Sequence, residues 1–303
     1  MKYALAPLMA TMPFFPALLR ITLCAFPLTF IGCDETGSDG AKTLKINGST
    51  TVNLPVAEAA DILRKRDGTR IQVDTQGGSS GGISMLAEGR VDLGMSSKAI
   101  SEKDHKNFPE VDFQPHQIGA DAVALIVSAD VWQGGVRSIS QEEMRSIYEG
   151  RISNWSELGG PDQRVVFFNK EPGRGTWEVF AKWLYGKADS APAVSFPEVG
   201  GNEETRSKVS STRGALSQLS ASWVDGATVY ALSLRGSDGR VIEPSADEIV
   251  SGNYPMSRPL YLLSDGEPKG EAKQFINFMI SEEGQELVRK HGYLGLSELG
   301  LIQ

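Results

Sequence analysis

Leu44 to Leu63 reads LKINGSTTVNLPVAEAADIL, and this stretch sets the fold class. Leu44 to Ile46 is a short strand-like run. Asn47-Gly-Ser-Thr-Thr51 is a tight polar turn, and Val56 to Leu63 carries a helical pattern. The same strand, small-residue turn and helix recur downstream. Arg70 to Asp74 alternates like a strand and runs into Gln76-Gly-Gly-Ser-Ser-Gly-Gly82, with the helical ISMLAEGR after it. Val91 to Met95 is a strand ending in Ser96-Ser97. Asp121 to Val127 is almost continuously apolar, as in a strand buried on both faces. Arg164 to Phe168 leads into Asn169 to Thr176 and then the helical WEVFAKWLYG. Strands alternating with helices across tight polar turns predict an α/β fold with a largely parallel sheet.

Length divides this fold further. With 303 residues, the chain is near the size at which one core gives way to two, so two lobes are expected. Asp121–Val127 and Thr228–Leu234 are the expected crossing strands. One lobe would then combine residues 44–125 with 232–303, and the other would span 126–231. Ser140 followed by Glu143 is a capping box opening the helix SQEEMRSIY. Gly270 to His291 reads as one amphipathic helical region, with Phe275, Phe278, Met279 and Leu287 facing a core.

Three turns rich in Gly, Ser and Thr each stand between a strand and a helix. Such turns present hydroxyls and unpaired backbone N–H groups to an anion. In open α/β sheets, ligands collect beyond the carboxyl ends of the strands. Asp92, at an end of an adjacent strand, is the one acid among these turns. Beside an oxyanion, a carboxylate is tolerable only if it accepts a proton from the ligand, which hydrogen phosphate can supply and sulfate cannot.

The first 32 residues read as an export leader. Lys2 and Arg20 are the charges preceding Ile21–Gly32, a twelve-residue apolar or small run too short to span a bilayer. Met12 offers a second possible start. Phe30-Ile31-Gly32-Cys33 is similar to a lipobox, so Cys33 is the expected lipidated N-terminus, with residues 33–43 as a polar tether. Cys24 and Cys33 are the two cysteines, which leaves no internal disulfide after processing. A formal net charge of −8 without a basic stripe argues against nucleic acid as a partner.

Most of the chain resembles the phosphate-binding proteins of ABC transporters. The resemblance lies in Gly48-Ser-Thr-Thr-Val52, Gly78-Ser-Ser-Gly-Gly82, and Val91-Asp-Leu-Gly-Met-Ser-Ser-Lys98. It continues in Ile147-Tyr-Glu-Gly-Arg-Ile-Ser-Asn-Trp155 with Glu157-Leu-Gly-Gly160, in Ile249-Val-Ser-Gly-Asn-Tyr-Pro-Met-Ser-Arg-Pro-Leu260, and in the helix Phe275 to Gly292. It implies a two-lobed periplasmic-binding-protein fold of type II with the ligand cleft between lobes. It also implies an extracytoplasmic, monomeric lipoprotein that takes phosphate or a related oxyanion without a cofactor. The implied partner is an ABC permease or, for another anion, a membrane sensor. Ligand contacts fall on Ser49, Thr50, Thr51, Ser79 and Asp92.

The fourth loop departs from the family pattern of Arg, two variable residues and Gly-Ser-Gly-Thr. Here it is Lys170-Glu-Pro-Gly-Arg-Gly-Thr176, so Lys170 stands for Arg and Arg174 for Ser, while Gly175 and Thr176 match. Lys lacks the planar fork of Arg. The cationic role is therefore expected to move to Arg174, on the ligand or paired with Asp92.

A hydrolase reading competes, because Gly77-Gly-Ser79-Ser-Gly81 fits a nucleophile elbow and His105, His116 and His291 could serve as bases. Such a Gly/Ser run meets that pattern easily, and binding without catalysis is the expected activity. The scattered histidines suggest no metal site.

Overall fold

The computed structural model describes residues 42–187 and 194–302. The leader, Cys24 and Cys33, and the tether up to Ala41 lie outside the described residues.

The first half runs β1 (Leu44–Gly48), α1 (Asn53–Asp67), β2 (Ile71–Asp74), α2 (Gly78–Ala87), β3 (Leu93–Ser96), α3 (Glu102–Asn107) and the 16-residue β4 (Phe113–Ser128). It continues with α4 (Ala129–Gln133), β5 (Ser138–Ser140), α5 (Gln141–Tyr148), β6 (Val166–Lys170) and α6 (Gly175–Tyr185). The remainder is β7 (Glu198–Val199), α7 (Asn202–Ser211), β8 (Ala215–Ser220), β9 (Val229–Arg235), β10 (Val241–Ile242), α8 (Ala246–Val250), β11 (Ser257–Asp265), α9 (Gly270–Ile280) and α10 (Glu282–Lys290).

The main sheet has the order β2-β1-β3-β11-β4-β8-β6-β7. β1 pairs in parallel with β2 and β3, and β6 in parallel with β7 and β8. β4 joins these two parallel groups. Its residues up to Ala122 pair with β11, and those from Val123 onward pair with β8 and β9. From Ile118 to Ser128 every residue is buried, as its apolar run predicted.

A separate hydrophobic core lies on each side of that switch. In the first, Ile46, Val56, Leu93, Leu260, Phe275 and Leu287 pack together. In the second, Met144, Tyr148, Trp155, Phe167, Phe180 and Tyr254 do so. Fully burying one such side chain is worth about 1.5–3 kcal/mol, so each set can hold a lobe together without the other.

Two expectations change. Thr228–Leu234 does not carry the chain back to the first lobe. Its strand β9 lies antiparallel to Leu125–Ser128, and Leu232 and Leu234 pack in the second core. Tyr254 and Met256 still belong to that core, and the return is made by β11, with Leu260 and Leu262 in the first. An apolar strand reports that it is buried but not in which core. The C-terminal region is also two helices rather than one, because Ser281 adopts extended angles and its hydroxyl caps α10 at Gly284. The capping box at Ser140 and Glu143 forms as expected. Among the described residues, no helix is long and apolar enough to cross a membrane.

Candidate functional site

Four helix N-termini converge between the two cores. Two follow strands of the first parallel group: α1 after β1, entered through Ser49-Thr50-Thr51, and α2 after β2, which begins at Gly78, five residues earlier than its apolar pattern indicated. The other two, α6 and α7, follow β6 and β7 of the second parallel group. Each end carries backbone N–H groups without helical partners and the positive end of a helix dipole. Together with Ser97 and Lys170 they line a small cavity of about 10 Å³.

The hydroxyls of the first core hold one another in place. Ser49 Oγ donates to Ser97 Oγ at 3.0 Å, and Ser79 Oγ accepts from the Ser97 backbone N–H at 3.1 Å. Thr51 Oγ1 accepts from Asn202 Nδ2 at 3.0 Å, a contact between the two cores. Tyr293 donates its hydroxyl to the Thr51 carbonyl at 2.8 Å, fixing the first loop from the far end of the chain. Gly175 has to be glycine. A Cβ there would lie 2.6 Å from Ser97 Oγ and 2.9 Å from Ser79 Oγ, so only a bare backbone lets α6 seat against these hydroxyls.

Behind the cavity lies Arg258, 3% exposed. All five of its N–H donors are used. Nε and Nη2 donate to Asp121 Oδ2 at 3.1 and 2.8 Å, Nη1 to Thr176 Oγ1 at 2.9 Å and Ser97 Oγ at 3.3 Å, and Nη2 also to Thr51 Oγ1 at 3.1 Å. One guanidinium therefore organises three of the hydroxyls around the space. Its charge is matched by an equally buried carboxylate.

Lys170, 1% exposed, enters from the end of β6. Its Nζ donates to the carbonyls of Gly200 at 2.9 Å and Gly201 at 3.0 Å, and to Thr205 Oγ1. Burial, reinforced by the nearby Arg174 and Arg258 charges, pushes its proton affinity well below that of an ordinary lysine. The oxygens around Nζ, which also include Asn202 Oδ1 at 3.5 Å, act in the opposite sense by accepting the protons of the ammonium form. Lys170 thus brings charge to the cavity while its N–H groups point to the backbone before α7.

Arg174 closes the rim. It lines the space and lies across Gly78, where a Cβ would meet its Cδ at 2.7 Å. Its partner is Glu171 Oε2, at 3.0 Å from Nε and 2.7 Å from Nη2, rather than Asp92.

Asp92 is not in the cavity. It precedes β3, at the amino end of that strand, while Ser97 follows the carboxyl end roughly 15 Å away by strand geometry. Its carboxylate takes Lys42 Nζ at 2.7 Å and the Lys45 N–H at 2.9 Å. Partial burial raises its pKa, but these two donors outweigh that and hold the carboxyl below its usual range. Sequence reasoning placed the acid in the right motif at the wrong end of the strand.

The other expected residues, Ser49, Thr50, Thr51, Ser79, Lys170, Arg174, Gly175 and Thr176, all line the space. The reading missed Ser97, Asn202 and Arg258. Ser97 could have been found from the rule of carboxyl strand ends, and Asn202 from the Gly-Gly preceding α7. Nothing local marks Arg258. Its distance along the chain from Thr51 and Ser97 hides it.

The histidines are engaged elsewhere. His116 Nε2 meets Ser264 Oγ at 2.9 Å, His291 Nε2 meets Glu58 at 2.8 Å, and His105 packs edge-on against Phe113. Ser79 Oγ has only Ser97 groups as hydrogen-bond partners among the described residues.

A two-lobed α/β fold with a small, donor-rich space where helix N-termini meet defines a binding protein for a small anion. The chain belongs to the PBP superfamily, whose domain model matches residues 34–283. It is 30% identical to the phosphate-binding protein PstS of Bacillus subtilis over 296 residues, covering 93% of this chain and 94% of that one. Identity to PstS of Borreliella burgdorferi is 26% over 268 residues, covering 85% of this chain and 91% of that one. Among solved structures, a phosphate ABC transporter substrate-binding protein from Clostridium perfringens with bound phosphate superposes at a TM-score of 0.74. It shares 28% identity, over 84% of this chain and 99% of that one. A phosphate transport receptor from Vibrio cholerae gives 0.65 at 26% identity, over 83% and 99%.

Proposed function

We propose that this chain captures inorganic phosphate between its two cores and delivers it to an ABC permease. It would work outside the cytoplasm, held to a membrane by a lipid on Cys33. The observation that carries the reading is the convergence of four helix N-termini and a network of buried hydroxyls on one cavity of about 10 Å³. Pockets for organic ligands run from about 300 Å³ upward. A space this small and this rich in donors suits an inorganic tetrahedral anion. The relatives that share both fold and length carry phosphate in their names.

In this reading Thr50, Thr51, Ser79, Ser97, Gly175, Thr176 and Asn202 supply donors to the anion, while Ser49, whose hydroxyl is spent on Ser97 and whose N–H is spent within the first core, holds that wall in place. Lys170 and Arg174 supply positive potential from the second core. Titration calorimetry of the purified protein with phosphate tests the assignment. Phosphate at about 100 times its Kd should also add roughly 2.7 kcal/mol of stability in thermal unfolding. No heat and no thermal shift at millimolar phosphate would sink it. For the anchor, Cys33→Ser should abolish palmitate incorporation in a bacterial host and release the protein from membranes. Continued membrane retention would disprove lipid anchoring at that residue.

A further inference from the structure

Thr51 Oγ1 accepts from both Arg258 and Asn202, so its two lone pairs are occupied and its single proton remains to be donated. Ser97 Oγ accepts from Ser49 and Arg258 and is bonded to Ser79 Oγ at 3.3 Å, so of the two protons on that serine pair one is left over. Thr176 Oγ1 accepts from Arg258. The Gly200 carbonyl is engaged by Lys170, and Ser79 Oγ takes the Ser97 N–H. The helix ends add only N–H groups.

No carboxylate offsets this one-sided lining. Among the described residues that line the space, none is acidic. Asp121 is turned to Arg258, Glu171 to Arg174, and Asp92 lies at the far end of its strand. A protonated ligand oxygen therefore finds no carboxylate to take its proton, only neutral hydroxyls such as Thr176 Oγ1, whereas a fully ionised oxygen is met by donors. A carboxylate wall would reject sulfate by repulsion, because sulfate has no proton to offer it. This cavity has no such wall.

We propose that the cavity takes sulfate as well as phosphate, reading a tetrahedral dianion by its charge and size rather than by its proton. This rests on the phosphate reading above and deepens it.

The test is competition calorimetry on the full-length chain in detergent, with phosphate first and sulfate second. Sulfate is expected to bind with a Kd within a hundredfold of that for phosphate and to displace it. Phosphate binding with sulfate more than a hundredfold weaker overturns this proposal and leaves the phosphate reading standing. Binding of neither anion overturns both. Ser97→Asp supplies the missing acceptor and should shift the ratio of affinities at least tenfold toward phosphate. If that variant folds and binds phosphate with an unchanged ratio, the proposal is also wrong. The comparison in the parent protein stands whether or not the variant folds.

Discussion

The two walls of the cavity are built on opposite principles. The wall from the first core is made of neutral hydroxyls that bond to one another and to a buried arginine, so each is fixed by its neighbours. The wall from the second core carries Lys170 and Arg174, and each cation is satisfied within its own lobe, by carbonyls or by Glu171. Short-range donors come mostly from the first wall and long-range potential from the second. The direct bonds between walls are few: Asn202 to Thr51, Arg258 to Thr176, the Ser80 N–H to the Gly173 carbonyl at 3.1 Å, and the ion pair of Lys98 with Glu178 at 2.8 Å. Most of each wall's stability is therefore local, and the joint between them is a short list of contacts that can be tested individually.

The largest effect should come from Arg258→Met. It strands the Asp121 carboxylate in the interior and should cost about 3–5 kcal/mol of stability by urea unfolding. Phosphate binding should be lost with it. A loss below about 1 kcal/mol would mean that the first wall does not depend on its guanidinium.

Lys98→Met comes next, because it removes the one ion pair that joins the walls among the described residues. It is expected to cost about 1.5–3 kcal/mol of phosphate binding, measured by calorimetry. The same variant should show a characteristic pH dependence. Burial holds the Glu178 carboxyl above its ordinary range, and Lys98 offsets this only in part. A carboxyl that holds its proton more tightly when folded disfavours the native state at neutral pH. That penalty fades as pH falls through its folded pKa toward the unfolded value near 4.3. The stability deficit of Lys98→Met should therefore be greatest at neutral pH and shrink on acidification. A deficit that grows on acidification would contradict this account of Glu178.

Arg174→Ser should matter least. Its partner Glu171 is 45% exposed, and such rim pairs contribute about 0.2–1 kcal/mol. A binding loss above 2 kcal/mol would place Arg174 on the anion and undo the division of labour between the walls.

The repeated strand, turn and helix was legible in the sequence because each unit is local. Gly48 to Thr51, Gly78 to Ser80 and Gly173 to Thr176 announced themselves through composition, and the structure brings all three loops to one place. What could not be read depends on contacts across long separations. Arg258 meets Asp121 only because β11 inserts between β3 and β4, an order that no local pattern encodes. Asp92 was misplaced because a carboxylate next to a Ser-rich turn looks the same in sequence whichever end of the strand it occupies. The lobe boundary slipped for a related reason: β9 and β11 are both apolar strands, and only their partners tell which core each one joins.

Arg258 and Asp121 face each other across β11 and β4, one residue before β4 exchanges its partner β11 for β8 and β9. The floor of the cavity therefore coincides with the pivot between the cores. If one core swings against the other about that axis, points near the pivot travel least and distant points travel most. Arg258 and the hydroxyls it holds would keep their arrangement, while the Lys98–Glu178 pair, which joins the cores away from this strand register, would have to part. An arriving anion would meet a floor already in place, and the swing would decide only how soon the rim follows.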